Sequence, residues 1–82
     1  MKHYWLVCWL ERWPDGTVKA FKTVVLSESL AKAVEIAENE IRIRAKAHVT
    51  EHMITSVGMA DDDCADLVGK AETDVLGIDW PE

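Results

Sequence analysis

Little in this chain suggests bound chemistry, and what it has in short supply says why. Its two cysteines, Cys8 and Cys64, are too few for a disulfide scaffold. Free thiols in a reducing cytosol are the expectation. Four scattered glycines build no phosphate-cradling loop. Apolar runs are short. YWLVCWL, after Lys2, has the look of a signal-peptide centre, but Glu11, Arg12 and Trp13 follow where a cleavage site needs small residues. No run approaches the ~20 apolar residues of a membrane helix. The expectation is a soluble, cytoplasmic protein.

Positive charge is nearly missing from the C-terminal part. Residues 1–49 hold eight Lys/Arg against six Asp/Glu, whereas residues 50–82 hold Lys70 alone against nine acids. The net charge of −6 is therefore a segment at −8 offset by +2 before it. An acidic whole disfavours non-specific nucleic-acid binding, which needs cations to displace counterions. It suits a basic protein partner. A solvated acid run that only keeps a small protein soluble has the same composition.

What is present begins with tryptophan. Trp5, Trp9 and Trp13 recur every four residues, a spacing that places them on one side of either a helix or a strand. The sequence Trp13-Pro14-Asp15-Gly16-Thr17 breaks the tie. Proline presets the first corner of a type I turn, Asp15 suits the second, and Gly16 can take the left-handed position that follows. This is a three-residue hairpin loop with a glycine bulge, and no helix runs through it. Tyr4–Trp13 and Thr17–Leu26 are thus predicted as antiparallel strands. Facing Trp13 with Thr17 pairs Glu11 with Lys19, Trp9 with Phe21, Val7 with Thr23 and Trp5 with Val25. The charge pair and the aromatic pair each contribute about 0.2–1 kcal/mol over alanines. One face of the hairpin is then aromatic. The other, with Tyr4, Leu6, Cys8, Leu10, Val18, Ala20, Val24 and Leu26, is aliphatic.

A helix follows. Ser27 and Ser29 are N-cap candidates, and Glu28 suits the positive end of the dipole. Leu30, Val34, Ala37, Ile41 and Ala45 form an apolar stripe, and Glu38–Arg42 is a favourable pair one turn apart. The alternation in residues 41–49 is strand-like, but Ala, Arg and Lys carry the helix to about residue 46. Val49–Met59, rich in β-branched residues, reads as a third strand ended by Gly58 and ADDDCAD. The fold class is α+β: a ββαβ core over residues 1–59, with a three-stranded antiparallel sheet in order 2-1-3 and one helix on one face. Residues 60–82 form an acidic segment, part of that domain or packed on it. It holds a possible short helix with an aspartate N-cap, then Val75, Leu76, Ile78 and Trp80 mixed with Asp74, Asp79 and Glu82. An alanine-rich stripe is expected to lie on the aliphatic face, leaving the rings to be covered by the tail, a second copy or another partner.

His48-Val-Thr-Glu51-His52 matches the H-x-x-E-H zinc pattern. The pattern needs a helix, and a strand is expected to start inside it. Asp61-Asp62-Asp63 lacks the glycine and glutamate of a calcium loop. Cys64 beside three aspartates is a poor nucleophile. No catalytic residue, metal ligand or cofactor is assigned. The candidate partner-binding residues are Trp5, Trp9, Trp13, Lys19, Phe21, Asp61, Asp62, Asp63 and Trp80. The expected function is a small non-enzymatic protein-binding or inhibitory domain. It would pair with a protein partner or with itself as a homodimer, or mask a basic surface as inhibitors from mobile elements do. The alternative is single-stranded nucleic-acid binding by base stacking on exposed tryptophans, with Lys22, Arg42, Arg44 and Lys46 also available as cations.

Overall fold

The hairpin turn takes the form its residues dictate. In the computed structural model, Gly16 has φ of 90° and its N–H reaches the Trp13 carbonyl at 2.9 Å. The Trp13 N–H reaches the Thr17 carbonyl at 2.8 Å, and the Asp15 carboxylate accepts from the Thr17 N–H at 2.9 Å. The turn joins β1 (His3–Arg12) to β2 (Val18–Ser27). Their register is the one the turn predicts: Trp5 opposite Val25, Val7 opposite Thr23, Trp9 opposite Phe21 and Glu11 opposite Lys19.

The structure describes residues 1–45, 51–76 and 80. Lys46, His48, Val49, Thr50, Ile78, Asp79 and Glu82, which enter the sequence reading, lie outside the described residues, as do the side chains of Arg44, Ala45, Asp74, Val75 and Leu76.

Helix α1 (Leu30–Ala45) is capped by Ser29, whose Oγ accepts from the Lys32 N–H at 3.2 Å. Ser27 is buried one step earlier and donates to the Ser29 carbonyl at 3.1 Å. Glu28 therefore stands before the cap, and the first turn holds no acid. Strand β3 (Glu51–Ala60) pairs antiparallel with β1 on the side away from β2, completing the 2-1-3 core. It does not stop at Gly58, which pairs with Leu6, and Ala60 beyond it pairs with Tyr4. A register shift inserts Thr55 as an extra residue, and its hydroxyl donates to the Cys8 carbonyl at 3.2 Å.

The chain then crosses to the far edge of the sheet. A short 3-10 helix, Asp62–Leu67, touches both β1 and β2. Val68 forms a single parallel bridge with Val24, and the Thr23 hydroxyl reaches the Lys70 carbonyl. These contacts guide Glu72–Leu76 into place as β4, antiparallel to β2, which makes a four-stranded sheet in order β3-β1-β2-β4. The acidic segment thus contributes a strand as well as a turn.

The core corrects the expected placement of the helix. Val7, Trp9, Phe21, Val25, Ala33, Ala37 and Ile41 are buried together, with Trp5, Ile36, Ile54 and Val57 packed against them. Helix α1 therefore covers the aromatic face. The helix stripe is Ala33–Ala37–Ile41, while Leu30 and Ile43 are exposed. The physical reason is size: indole and phenyl rings need depth, and alanines facing them leave room for interdigitation. Trp9 and Phe21 lie nearly parallel there, with ring centroids 5.7 Å apart.

Candidate functional site

The three hairpin tryptophans divide along β1. Trp5 is half-buried; its Nε1–H donates to the Ser27 carbonyl at 3.0 Å, and His3 meets its ring edge-on. Trp9 is only 2% exposed. Its Nε1–H donates at 2.9 Å to the carboxylate of Glu11, which is itself fully buried, between Lys19 and His52 in register. An indole N–H in a core needs an acceptor, and a buried carboxylate needs donors; each partly meets the other's requirement. Trp13 is half-buried at the hairpin end, with the Lys19 ammonium 4.0 Å above its ring centroid. Such a stack contributes about 0.5–1 kcal/mol at an exposed site.

Of the expected binding residues, Trp5, Trp9 and Phe21 are brought together, but beneath the helix. Trp13 and Lys19 pair with one another. Asp61, Asp62 and Asp63 are all exposed. Asp61 holds the N-cap position of the 3-10 helix but makes no side-chain capping bond, while Asp62 and Asp63 lie in its first turn. They follow Ala60, which pairs with Tyr4 at the opposite end of β1 from Trp13. A strand of that length separates the two groups by about 30 Å. Trp80 is half-buried at the hairpin end, its ring 4.7 Å from the Arg12 guanidinium. Arg12 alternates onto the face away from α1 and pairs with Glu51 at 3.3 Å. The tail does bring an indole to the sheet, but to the aliphatic side.

Among the described residues, the remaining polar groups form no reactive cluster. His52 Nε2 lies 3.1 Å from Glu38 Oε2, and Glu38 also meets Arg42 at 4.0 Å. Glu51 and His52 are on β3, so this half of the H-x-x-E-H pattern is on a strand. Among the described residues, no group of three or more His, Cys, Asp or Glu is placed to hold a metal ion. Cys8 and Cys64 are both free thiols. A cleft of about 300 Å³ beside α1 is lined by Trp9, Thr23, Ala37, Ile41 and Lys70, with Glu40 at its margin. One carboxylate and one ammonium on an otherwise mostly apolar lining do not make a catalytic set. No helix among the described residues is long and apolar enough to cross a membrane.

One feature escapes sequence reasoning: the buried Glu11, which the pairing with Lys19 makes look like an ordinary surface pair. In the order β3-β1-β2-β4, β3 is a terminal strand, as the 2-1-3 order implied, and no described strand pairs with its outer side. The chain matches no protein-family model, and comparisons with curated proteins and with solved structures return no match.

Proposed function

We propose that this chain is a non-enzymatic protein-binding domain whose acidic segment occupies a basic surface on its partner. The observation that carries this reading is the disposition of charge after β3. Asp61, Asp62, Asp63, Asp66 and Glu72 are all exposed along one short stretch in which Lys70 is the single cation. Carboxylates held on a folded frame attract a cationic surface from a distance and lose little entropy when they engage it. If that surface binds nucleic acid in the partner, the carboxylates stand where phosphates would go, and the domain acts as an inhibitor.

The aromatic rings take a different part in this reading than the sequence suggests. Trp9 and Phe21 are held beneath α1 and are not available to a partner. The same burial takes Trp9 and Phe21 out of any base-stacking platform, a mode that needs open ring faces.

The test is retention of basic against acidic proteins on the immobilised full chain at low ionic strength. Basic members are expected to be held and to be released by moderate salt. The triple substitution Asp61→Asn, Asp62→Asn, Asp63→Asn is expected to weaken retention about tenfold or more, in line with the loss of several close charges. Retention of basic and acidic proteins alike, or unchanged retention by the triple variant, would overturn the reading.

A further inference from the structure

We propose that the cleft between α1 and the turn before β4 binds a free amino acid with a large apolar side chain. The inference is independent of the acidic-segment reading above and concerns a different part of the molecule.

The cleft has two fixed banks and a buried floor. One bank is α1, which contributes Glu40 and Ile43. The other is Gly69–Ala71, just ahead of β4. Gly69 turns the chain with φ of 77°. Lys70 is then held by its backbone: its N–H donates to the Leu67 carbonyl at 3.0 Å, and its carbonyl accepts from the buried Thr23 hydroxyl. Trp9 and Thr23 lie at the floor. The volume of about 300 Å³ is at the small end of the roughly 300–1,000 Å³ usual for ligand sites, which suits a molecule no larger than one amino acid.

The walls suit an apolar body. Ala37 and Ile41 are buried where they meet the cleft, but Ile43 stands 77% exposed beside it. A side chain of phenylalanine or leucine size laid against Ile43 takes apolar surface of both out of water. On the opposite bank a Cβ added at Gly69 would meet no atom within 4 Å, so the space there is open to such a body.

The charges on the two banks select the head of the ligand. Lys70, the single cation of residues 50–82, stands at this cleft, and Glu40 stands on the other bank. Both are exposed. Among the described residues, neither side chain makes a hydrogen bond or an ion pair. A ligand of one sign would meet one opposite and one like charge. A ligand carrying both signs at its head meets an opposite charge on each bank, its carboxylate toward Lys70 and its ammonium toward Glu40. An amino acid joins such a head to an apolar side chain, and that combination complements the cleft. Because both banks are already held in place, little ordering is needed on binding.

The experiment titrates the isotope-labelled full chain with L-phenylalanine and L-leucine and follows backbone amide shifts by NMR. Phenylalaninamide, which lacks the carboxylate, and N-acetylphenylalanine, which lacks the ammonium, stand for the first and last residues of a peptide chain. At least one free amino acid is expected to bind at millimolar concentration, with shifts centred on Ile41 and Gly69–Ala71. Each derivative is expected to bind at least about threefold more weakly than phenylalanine, a modest factor because a pair at an open mouth is partly screened. Lys70→Gln is expected to abolish the preference over the amide, and Glu40→Gln the preference over the N-acetyl form; both positions are exposed, so the fold survives. No shifts with either amino acid would overturn the proposal. A derivative that binds as tightly as phenylalanine would assign the cleft to a chain end and overturn it as well. Preferences unchanged in both variants would place the bound amino acid away from Lys70 and Glu40, with the same consequence.

Discussion

Trp9 and Leu10 are neighbours in β1, and both are buried, yet they are covered by different means. Trp9 points to the face under α1, where Ala33 and Ala37 leave space for its ring. Leu10 points to the other face, where Val18 and Val24 are also buried and where Trp80 stands over Arg12. One face is closed by a regular helix with small residues turned inward. At its hairpin end the other meets an indole from the acidic segment. The comparison teaches that ring size, more than hydrophobicity, decided which side the helix took: the helix brings alanines, so the large rings go beneath it.

The sharpest way to break this comparison is to truncate the two neighbours separately. Trp9→Ala is expected to cost about 3–5 kcal/mol, and Leu10→Ala, at the less buried of the two positions, to fall in the lower part of the range of about 2–5 kcal/mol. For a domain of this size, with total stability of roughly 4–12 kcal/mol, the first removes a large share. Urea unfolding of both variants measures the difference. A larger loss for Leu10→Ala would mean that the main core lies on the other face.

The size rule itself is tested on the helix. Ala37 is fully buried against the rings, whereas Ala31 is exposed on the same helix. Ala37→Leu is expected to destabilise by about 1–3 kcal/mol through overpacking. Ala31→Leu is expected to stay within about 0.5 kcal/mol of the parent. If Ala37→Leu were tolerated equally well, the space over Trp9 and Phe21 would be looser than the buried cluster implies.

How much of this was legible in the sequence follows from what each residue determines locally. Pro14, Asp15 and Gly16 specify a turn, and a turn of known length sets the register of both strands, so the pairing from Trp5–Val25 to Glu11–Lys19 was readable. The helix was readable in extent but not in rotation. Apolar periodicity weights Leu30 and Val34 above Ala33, yet it was the smaller residue that the rings needed. The face assignment was not readable because both sides of the hairpin are apolar. Strand β4 was hidden for another reason: Glu72–Leu76 gains its place from the bridge at Val68 and the Thr23 hydroxyl, contacts distant in sequence. At the candidate site, the exposure of Asp61–Asp63 was legible from composition. The continuation of β3 through Gly58 was not, because a glycine beside an acid run reads as a strand end, whereas an edge strand tolerates it.

The cover at the hairpin end is probed by Trp80 and Arg12 together. A double-mutant cycle of Trp80→Ala and Arg12→Ala is expected to show a coupling of about 0.5–1 kcal/mol, the range for a cation over an indole at a partly wet site. Zero coupling in thermal or chemical unfolding would mean that the indole covers the sheet without engaging the guanidinium.

The smallest effect belongs to the turn that set the register. The Thr17 side-chain hydroxyl first, and its backbone N–H second, hold the Asp15 carboxyl below its ordinary 3.8. A carboxyl depressed in the folded state binds fewer protons folded than unfolded, so its contribution is fully present above the unfolded value and is lost as pH falls through the folded one. Asp15→Asn keeps a side-chain oxygen for the Thr17 N–H but removes the charge. The parent is therefore expected to melt slightly above this variant at neutral pH, and the gap is expected to close once the pH is well below 3.8. Melting curves across that interval measure it. Because Asp15 is exposed, the gap is small, and salt reduces it further. A gap that instead widened on acidification would mean that the protonated carboxyl is the better partner of Thr17, and the geometry assigned to the turn would have to change.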